Sequence, residues 1–363
     1  MKILFLDQFA DLGGAQRCLL DLLPAIRERG WEATVGAPGE GPLLGRAHEL
    51  GARAEVIPCG PFASGRKGIR DLARFAAQLP VTVRAIRRIL QSCGAVLLYV
   101  NGPRLVPAAT LAAGRRPMVF HCHSRFPRAT ALVGRCLLHA RSTVIGSCRD
   151  VLVPLERYVP AERMHVVYPG VGETNRTPPL RERLAIGMIA RISPEKGHAE
   201  FLEAARIVAG EIEATFLVCG APRFSDPSAA AYAGRVRQLA GGLPVEFTGW
   251  QDDVAAVLSR IDVLVVPSRA DASPRVIPEA FAAGVPVVAF AVGGIPEMVT
   301  EGDTGLLVAP LDTGALARRI LELLAWPPER RRDLAANART RYEQLFTLGR
   351  YRARVLRILE GLQ

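Results

Sequence analysis

The sequence predicts an α/β protein made of two open, mainly parallel β-sheets with helices on both faces. A chain of 363 residues is longer than one compact core usually holds, so two domains are expected. Short runs of β-branched and apolar residues alternate with helical patterns along the whole chain, which is typical of βαβ units. A polar, proline-rich stretch separates two such series. The expected architecture is therefore two doubly wound, Rossmann-like domains facing a central cleft.

Each predicted strand is a short β-type run bounded by turn signals. The strands of the first series are Ile3–Leu6, Ala33–Gly36, Ala54–Ile57, Ala95–Val100, Met118–Cys122, Thr143–Ile145 and Met164–Val167. Those of the second series are Leu184–Ile189, Thr215–Cys219, Val245–Thr248, Val263–Val266, Val287–Phe290 and Gly305–Val308. We expect an N-terminal domain at 1–173, a linker at 174–183 and a C-terminal domain at 184–345.

The amino-acid composition and the spacing of the cysteines limit the classes of protein to which this chain can belong. Apolar residues make up 49% of the chain, which indicates a globular protein and not a disordered one. The seven cysteines include no C-x-x-C pair, so we expect reduced thiols in a cytoplasmic chain, with neither a zinc site nor a disulfide framework. Asp7 interrupts the apolar N-terminal run, which fits a first strand better than a signal peptide. No stretch predicts a membrane-spanning helix.

Positive charge is concentrated in the first half of the chain. Residues 1–173 hold 23 of the 46 Lys and Arg but only 13 of the 35 Asp and Glu. Between Glu55 and Asp150 the one acid is Asp71, against fifteen basic residues. This excess fits either a solvated, Arg-rich face or a surface for anionic membrane lipids or a lipid-phosphate acceptor. A nucleic-acid partner is the least favoured interpretation, because no aromatic residues are interleaved with the basic ones.

Three loops follow predicted strands at the edge where doubly wound sheets bind ligands. The first contains Gly13 and Gly14, which allow close backbone approach before a helix whose N-terminus suits an anion, although a Gly-Gly pair taken alone is more often a plain tight turn. The second contains Arg191 and Lys196, a forked guanidinium and a compact ammonium suited to a diphosphate. Lysine occurs only three times in this chain, which makes its presence there informative.

The third loop places two carboxylates, Asp271 and Glu279, eight residues apart before and within a short helix. A carboxylate accepts two hydrogen bonds from a vicinal diol, so an acid at such a strand end suits a ribose or hexose ring. Glu279 could instead only stabilise the positive end of the helix dipole, a contribution of at most about 1 kcal/mol.

The three loops, in this order, resemble those of the retaining glycosyltransferases of family four, which have the GT-B fold. The resemblance covers most of the chain and is most specific in residues 184–325. The segments that carry it are GGAQRCLLDL at 13–22, ARISPEKG at 190–197, VCGAP at 218–222, FTGW at 247–250, IDVLVVPS at 261–268, PEAFAAGVPVVA at 278–289 and GGIPEMVTEGDTGLLV at 293–308. Residues 346–363 resemble the last helix of this fold, which crosses back to the first domain.

The resemblance implies roles for these residues in donor binding and catalysis. Arg191 and Lys196 would hold the donor diphosphate without a metal, Glu279 the ribose diol and Asp271 the sugar hydroxyls. Gly13 and Gly14 would let the first loop meet phosphate and acceptor. The family's histidine matches VFHCHSRF, where His123 is the candidate and His121 lies two residues earlier. The catalytic candidates are His123, Asp271 and Lys196, and no cofactor is implied beyond the nucleotide-diphosphate sugar itself.

Two departures from the family pattern bear on the donor sugar. Asp271 replaces the first glutamate of an E-x7-E pattern, and Pro274 stands where glycine is common, so one backbone donor is missing. The expected function is a hexosyltransferase that acts with retention on a glycan or lipid-linked acceptor, in the cytoplasm or at the inner face of the membrane, and does not bind nucleic acid. The alternatives are a catalytically silent GT-B protein that binds a nucleotide sugar or glycan, and a sugar-nucleotide epimerase.

Overall fold

The chain divides into two compact units. The structure, a computed structural model, describes residues 1–60, 69–174, 184–222 and 227–362. The first unit comprises Met1–Pro169 and Gly349–Gln363, and the second comprises Gly170–Leu348. The C-terminal segment therefore belongs to the first unit. The linker predicted at 174–183 lies, except for Thr174, outside the described residues.

The first unit is built on a parallel sheet of seven strands in its described residues. Their order across the sheet is β3-β2-β1-β4-β5-β6-β7. The strands are β1 Lys2–Asp7, β2 Glu32–Ala37, β3 Arg53–Val56, β4 Leu97–Asn101, β5 Met118–Cys122, β6 Thr143–Gly146 and β7 Met164–Val166. The helices are α1 Gly14–Glu28, α2 Pro42–Glu49, α3 Ile69–Cys93, α4 Val106–Ala113 and α5 Thr130–His139, with α13 Leu348–Glu360 from the C-terminus.

The last helix, α13, is anchored on α1. The hydroxyl of Tyr351, which is buried, donates to the carbonyl of Cys18 at 2.9 Å. Arg352 donates through Nε to the carbonyl of Asp21 at 2.7 Å. These bonds attach residues more than 300 positions apart in the sequence to the same unit.

The second unit is built on a parallel sheet of six strands in its described residues, in the order β10-β9-β8-β11-β12-β13. The strands are β8 Leu184–Ile189, β9 Ala214–Cys219, β10 Val245–Gly249, β11 Val263–Val266, β12 Val287–Phe290 and β13 Leu306–Val308. The helices are α6 His198–Glu211, α7 Pro227–Leu239, α8 Val254–Leu258, α9 Val276–Ala282, α10 Ile295–Met298, α11 Thr313–Ala325 and α12 Pro328–Leu345. Strands β8, β11, β12 and β13 consist of apolar residues and glycine, because helices cover both faces of the sheet, whereas the edge strand β10 also contains Glu246 and Thr248.

The predicted fold class is confirmed, since every predicted strand is present with ends displaced by at most two residues. The largest displacement is at β4, which starts at Leu97 and not at Ala95. Gly94 has a positive φ of 63°, and the chain is still turning into the strand at Ala95. Local apolar runs therefore locate strands well, but a turn at the start of a strand can occupy the first apolar residues.

Each sheet has one point at which the strand order reverses. In the first unit this point lies between β1 and β4, and in the second between β8 and β11. In doubly wound folds the loops that follow two such strands diverge and leave a crevice at the carboxyl ends. The loops that carry the candidate residues of the second unit follow β8 and β11. Among the described helices, none is both long enough and apolar enough to cross a bilayer.

Candidate functional site

Two of the predicted site residues meet at the reversal point of the second unit. Lys196 ends a short 3-10 turn, Pro194–Lys196, in the loop after β8, and Asp271 lies in the loop after β11. The Lys196 ammonium is 2.5 Å from the carboxylate of Asp271, and the two side chains are only 23% and 11% exposed. Ser268 donates its hydroxyl to the same carboxylate oxygen at 3.2 Å. The assigned phosphate ligand and the assigned sugar ligand are therefore an ion pair in this structure.

Arg191, the other predicted diphosphate ligand, also has a carboxylate partner. Its guanidinium forms an ion pair with Glu195 and donates through Nε to Ser193 Oγ at 3.4 Å. Burial raises the pKa of Glu195, but hydrogen bonds from its own backbone N–H and from Ser193, together with the charge of Arg191, outweigh burial and lower it. Glu195 is consequently ionised at neutral pH and orients the guanidinium.

Three glycines with positive φ hold the strand-end loops of this unit against one another. A Cβ at Gly197 would lie 1.8 Å from the carbonyl oxygen of Pro267, and one at Gly220 would lie 1.9 Å from that of Ala190. A Cβ at Gly293 would lie 1.8 Å from the carbonyl oxygen of Asp271. Such contacts are possible only without a side chain. The loops after β8, β9, β11 and β12 thus form one tightly packed group around the Lys196–Asp271 pair.

The loop after β11 is further fastened to the loop after β8 and to α6. The backbone N–H of Arg269 donates to the carbonyl of Glu195 at 2.9 Å, and its guanidinium forms an ion pair with the buried Glu200. His198, at the start of α6, is fully buried, and burial lowers its pKa to about 4. A neutral ring at this position adds no positive charge beneath Lys196.

Glu279 and Pro274 lie on the path from this loop into α9. Glu279 is half-buried in the first turn of α9, and its backbone N–H donates to the carbonyl of Arg275 at 3.1 Å. Pro274 is buried, and its carbonyl accepts the N–H of Ile277 at 3.1 Å. A backbone carbonyl makes this contact whatever the side chain, so it does not explain why proline stands where the family commonly has glycine.

In the first unit, Gly13 and Gly14 form the start of α1. Gly13 is the N-cap, and its backbone N–H donates to Gln16 Oε1 at 3.1 Å. A Cβ on Gly14 would have no heavy atom within 4 Å, so the fold itself does not require glycine there. The open space around Gly14 fits the prediction of close approach by a bound molecule.

Behind this loop lies a buried carboxylate that the sequence had not indicated as functional. Asp7, at the end of β1, is fully buried and accepts hydrogen bonds from Gln16 Nε2 at 2.7 Å and Asn101 Nδ2 at 2.6 Å. Burial raises the pKa of Asp7 to about 6, although its hydrogen bonds from Asn101, Phe9 and Gln16 act in the opposite direction. Asp7 and Asn101 are register partners on β1 and β4, the two strands of the reversal point.

His123 follows β5, where it is half-buried, and contacts this network. Its Nε2 is 2.7 Å from Asn101 Oδ1, and its ring centroid is 3.8 Å from that of His121. His121 is fully buried with Nδ1 2.6 Å from the hydroxyl of Tyr99. Burial, and secondarily His123, hold the pKa of His121 well below its usual value. Of the two histidines, His123 is the one that contacts Asn101, which is hydrogen-bonded to Asp7.

Sequence reasoning missed Asp7, Gln16 and Asn101, although a signal for two of them was present. Asp7 and Asn101 are polar residues at the last positions of two strands whose preceding four residues are apolar and buried. Adjacent parallel strands end at one edge of the sheet, so their terminal polar residues meet. Gln16 gave no such signal, because a single glutamine in the first turn of a helix is common. In the described part of the chain, no three His, Cys, Asp or Glu side chains gather in a way that could hold a metal ion.

Two doubly wound units, each on a parallel sheet, are the architecture of the GT-B class of fold. Family models match both halves of the chain. Residues 12–174 match the glycosyltransferase family 4 model, and residues 183–325 match the model described as glycosyl transferases group 1. The chain belongs to the group 1, family 4 glycosyltransferases, as the resemblance implied.

Curated relatives are similar over part of their length. N-acetyl-alpha-D-glucosaminyl L-malate synthase of Bacillus anthracis is 38% identical over 114 residues, covering 30% of this chain and 30% of the relative. D-inositol 3-phosphate glycosyltransferase of Mycolicibacterium vanbaalenii is 34% identical over 200 residues, covering 49% of this chain and 44% of the relative. The matched region thus spans less than half the length of these relatives.

Solved structures match the fold over nearly the whole chain. HepE from Anabaena in complex with UDP superposes with a TM-score of 0.84 at 24% identity, covering 99% of this chain and 100% of that one. The same protein has also been determined in complex with UDP-glucose. At this identity the match establishes a shared fold.

Proposed function

We propose that this protein is a retaining glycosyltransferase that moves a sugar from a nucleotide-diphosphate donor to an acceptor hydroxyl. The observation that carries the proposal is the Lys196–Asp271 pair, with Arg191 nearby in sequence, at the reversal point of the second sheet. Family membership and the UDP and UDP-glucose bound by HepE support the same donor class.

The cations at this edge supply the charge that a departing diphosphate needs. Arg191 offers a planar fork and Lys196 a compact ammonium, and carboxylates hold both in place. Preorganised charges of this kind stabilise the transition state without reorganising when the bond breaks. In this proposal no metal ion is required, because the two side chains carry the neutralisation.

In this proposal Asp271 binds the sugar that is attached to the diphosphate. Its carboxylate already accepts a hydroxyl, that of Ser268, and can accept sugar hydroxyls in the same way. In the proposed reaction, the acceptor oxygen attacks the anomeric carbon from the side on which the diphosphate leaves, and the leaving phosphate oxygen takes the acceptor proton. The anomeric configuration is retained, and one glycosidic bond replaces the sugar–phosphate bond.

A screen of UDP-, GDP- and ADP-sugars for hydrolysis and for thermal stabilisation tests the proposal. A true donor at about 100 times its dissociation constant should raise the free energy of unfolding by about 2.7 kcal/mol. Lys196→Ala should lower donor hydrolysis by about 100- to 1,000-fold. The control is Lys2→Ala, which removes a lysine paired with Glu32 at 3.0 Å on an exposed surface of the other unit and should leave turnover unchanged.

The alternatives have distinct outcomes in the same screen. Stabilisation by a nucleotide sugar without hydrolysis or transfer to any acceptor would indicate a catalytically silent binding protein. Conversion of the donor into another nucleotide sugar, with no acceptor present, would indicate an epimerase. Equal turnover in Lys196→Ala and the wild type would contradict the assignment of the diphosphate site.

A lipid-linked or cell-envelope acceptor at an anionic membrane surface is the second part of the proposal. Exposed arginines on α3 accompany exposed leucines on α4 and α5, which are neighbouring helices of the first unit. We call this set the basic face: Arg84, Arg87, Arg88, Leu111, Leu132 and Leu138. The guanidinium of Arg87 donates to the carbonyl of Leu111 at 2.7 Å and so joins α3 to α4. Arg66 and Lys67, also in the basic stretch, lie outside the described residues.

A further inference from the structure

The hydrogen-bond network behind the first loop fixes the orientation of two side-chain amides. Ionised Asp7 has only acceptor oxygens, so each amide bonded to it must present its NH2 group. Gln16 donates to one oxygen at 2.7 Å and Asn101 to the other at 2.6 Å. Asn101 Nδ2 also donates to the carbonyl of Ala15 at 3.1 Å, a group that can only accept. The oxygen of each amide must therefore point away from Asp7.

The two amide oxygens face the two predicted functional elements of this unit. Gln16 Oε1 accepts the backbone N–H of Gly13 at 3.1 Å, so the first loop is attached to Asp7 through one amide. Asn101 Oδ1 is 2.7 Å from His123 Nε2, so the histidine is attached to Asp7 through the other. Asp7 thus lies at the centre of a chain of hydrogen bonds that runs from the loop before α1 to the histidine after β5.

Because Asn101 Oδ1 can only accept, the 2.7 Å contact requires a proton on His123 Nε2. A neutral imidazole carries one proton, so its Nδ1 then holds a lone pair and can accept a hydrogen bond or a proton. The ring neighbour, His121, is neutral because burial holds its pKa well below the usual value, and its ring is tilted by 37° at a centroid distance of 3.8 Å from that of His123. It therefore contributes no positive charge to His123.

We propose that Asp7 and Asn101 are positioning residues that hold His123 in the Nε2–H tautomer, with Nδ1 as an acceptor for a substrate hydroxyl. The role for the hydroxyl rests on the proposed glycosyltransferase function, whereas the tautomer follows from the protein alone. Asp7 acts through Asn101 and touches no reacting atom. Gln16 attaches the Gly13 loop to the same carboxylate, so the loop and the histidine share one support.

The test is long-range ¹H–¹⁵N NMR of the ¹⁵N-histidine-labelled full chain, which distinguishes the two neutral tautomers by their nitrogen–proton couplings. The His123 signals are assigned by their loss in His123→Gln. We expect wild-type His123 to carry its proton on Nε2 at neutral pH. In Asn101→Leu the Nδ1–H tautomer should become populated. In Asp7→Asn, whose new amide can present its NH2 group to Asn101, the same change should be smaller, because the Ala15 carbonyl still holds Asn101 Nδ2. Tyr99→Phe, which removes a partner of the neighbouring His121, is the control and should leave His123 unchanged.

A kinetic split provides the second measurement. If a donor is turned over, Asn101→Leu should lower kcat by at least about tenfold while the donor KM changes by less than about twofold. Asp7→Asn, which also loosens the Gly13 loop through Gln16, should lower kcat and raise the donor KM. A wild-type His123 with its proton on Nδ1, or an unchanged tautomer in both variants, would overturn the inference. The wild-type spectrum by itself can contradict the inference about the His123 tautomer. The test is therefore decisive even if a variant fails to fold. Absence of turnover with an Nε2–H histidine would contradict the proposed function and leave the positioning role standing.

Discussion

Among single residues, the ion pair between Lys196 and Asp271 means that the two carboxylates, Asp271 and Glu279, should affect ligand binding differently. Asp271 neutralises a cation that a diphosphate must use, whereas Glu279 is placed on α9 by its backbone. Asp271→Asn removes that competition, so free nucleoside diphosphate should bind more tightly, by up to about tenfold, or 1.4 kcal/mol. Binding of the nucleotide sugar should gain less or weaken, because a sugar ligand is lost. Calorimetric titration with both ligands measures the difference.

Glu279→Gln is the comparison variant for that measurement. It should weaken free nucleotide and nucleotide sugar alike, since its proposed partner is the ribose. If both acids respond identically to the two ligands, the assignment of one acid to each ring is wrong.

Gly14 allows a test that separates ligand approach from folding. A Cβ there meets no atom, so Gly14→Ala should keep the fold or stabilise it by up to about 1 kcal/mol through helix propensity. Donor turnover or transfer should nevertheless fall, because a methyl group would occupy the space where a ligand approaches. Gly45→Ala, equally open and within α2, is the matched control and should change stability alone. Full activity in Gly14→Ala would leave Gly14 without a role in binding.

Asp7 predicts a pH dependence of stability whose sign follows from its pKa. The folded state raises that pKa from 3.8 to about 6 because the carboxyl is buried, so the folded protein holds the proton more tightly than the unfolded chain. Stability from this group is therefore present below about pH 4 and lost as the pH rises toward 6. Relative to Asp7→Asn, which does not titrate, the wild type should lose on the order of 3 kcal/mol across this range. Paired denaturant unfolding from pH 4 to pH 7 measures it, and a constant difference would contradict the prediction.

At the scale of elements, the loops of the second unit owe their arrangement to backbone contacts that only glycine permits. Gly293→Ala should place a methyl group 1.8 Å from the carbonyl oxygen of Asp271, which forces that loop to move. We expect a loss of donor turnover and a destabilisation larger than the 1–2 kcal/mol of a left-handed alanine. Gly284→Ala has a similar φ, 68° against 54°, but open space around its Cβ, so it should lose only that amount and keep activity. Thermal unfolding and donor hydrolysis of both variants test the expectation.

The strands of the second unit, and the edge of the sheet at which Lys196 and Asp271 lie, were predictable because they depend on local patterns. Apolar runs identify β8 and β11, and parallel topology then places Lys196 and Asp271 at one edge. What the sequence could not give is the contact between them, because the ion pair depends on loop paths set by Gly197 and Gly293. The network around Asp7 was missed for a related reason. A buried carboxylate is recognisable only when its amide donors are known, and Asn101 is 94 positions away.

Across the whole chain, the distribution of charged residues follows the boundary between the two structural units. The first unit carries all of the positive excess, with 27 Lys and Arg against 13 Asp and Glu, whereas the second, with 19 against 22, is nearly balanced and holds the proposed donor site. The second unit does not need a long-range positive electrostatic field to attract its proposed donor, because Arg191 and Lys196 supply positive charge at individual positions. A basic unit attracts anionic partners over about one Debye length, roughly 8–10 Å at physiological salt. This separation favours an acceptor that is itself anionic or is presented on an anionic surface.

The basic face leads to the last prediction, that the protein sediments with anionic vesicles but not with neutral ones. Each basic residue near such a surface contributes about 1 kcal/mol to the binding free energy. The exposed leucines of α4 and α5 can enter the lipid–water interface. Replacing Arg84, Arg87 and Arg88 together with Gln should therefore reduce binding by about 100-fold, and high salt should release the wild type. The matched control replaces Arg330, Arg331 and Arg332 on α12, which removes the same charge from the other unit and should leave binding nearly unchanged. Donor hydrolysis should persist in both triple variants. Equal losses in the two would attribute binding to net charge and not to this face, and no binding at low salt would favour a soluble acceptor.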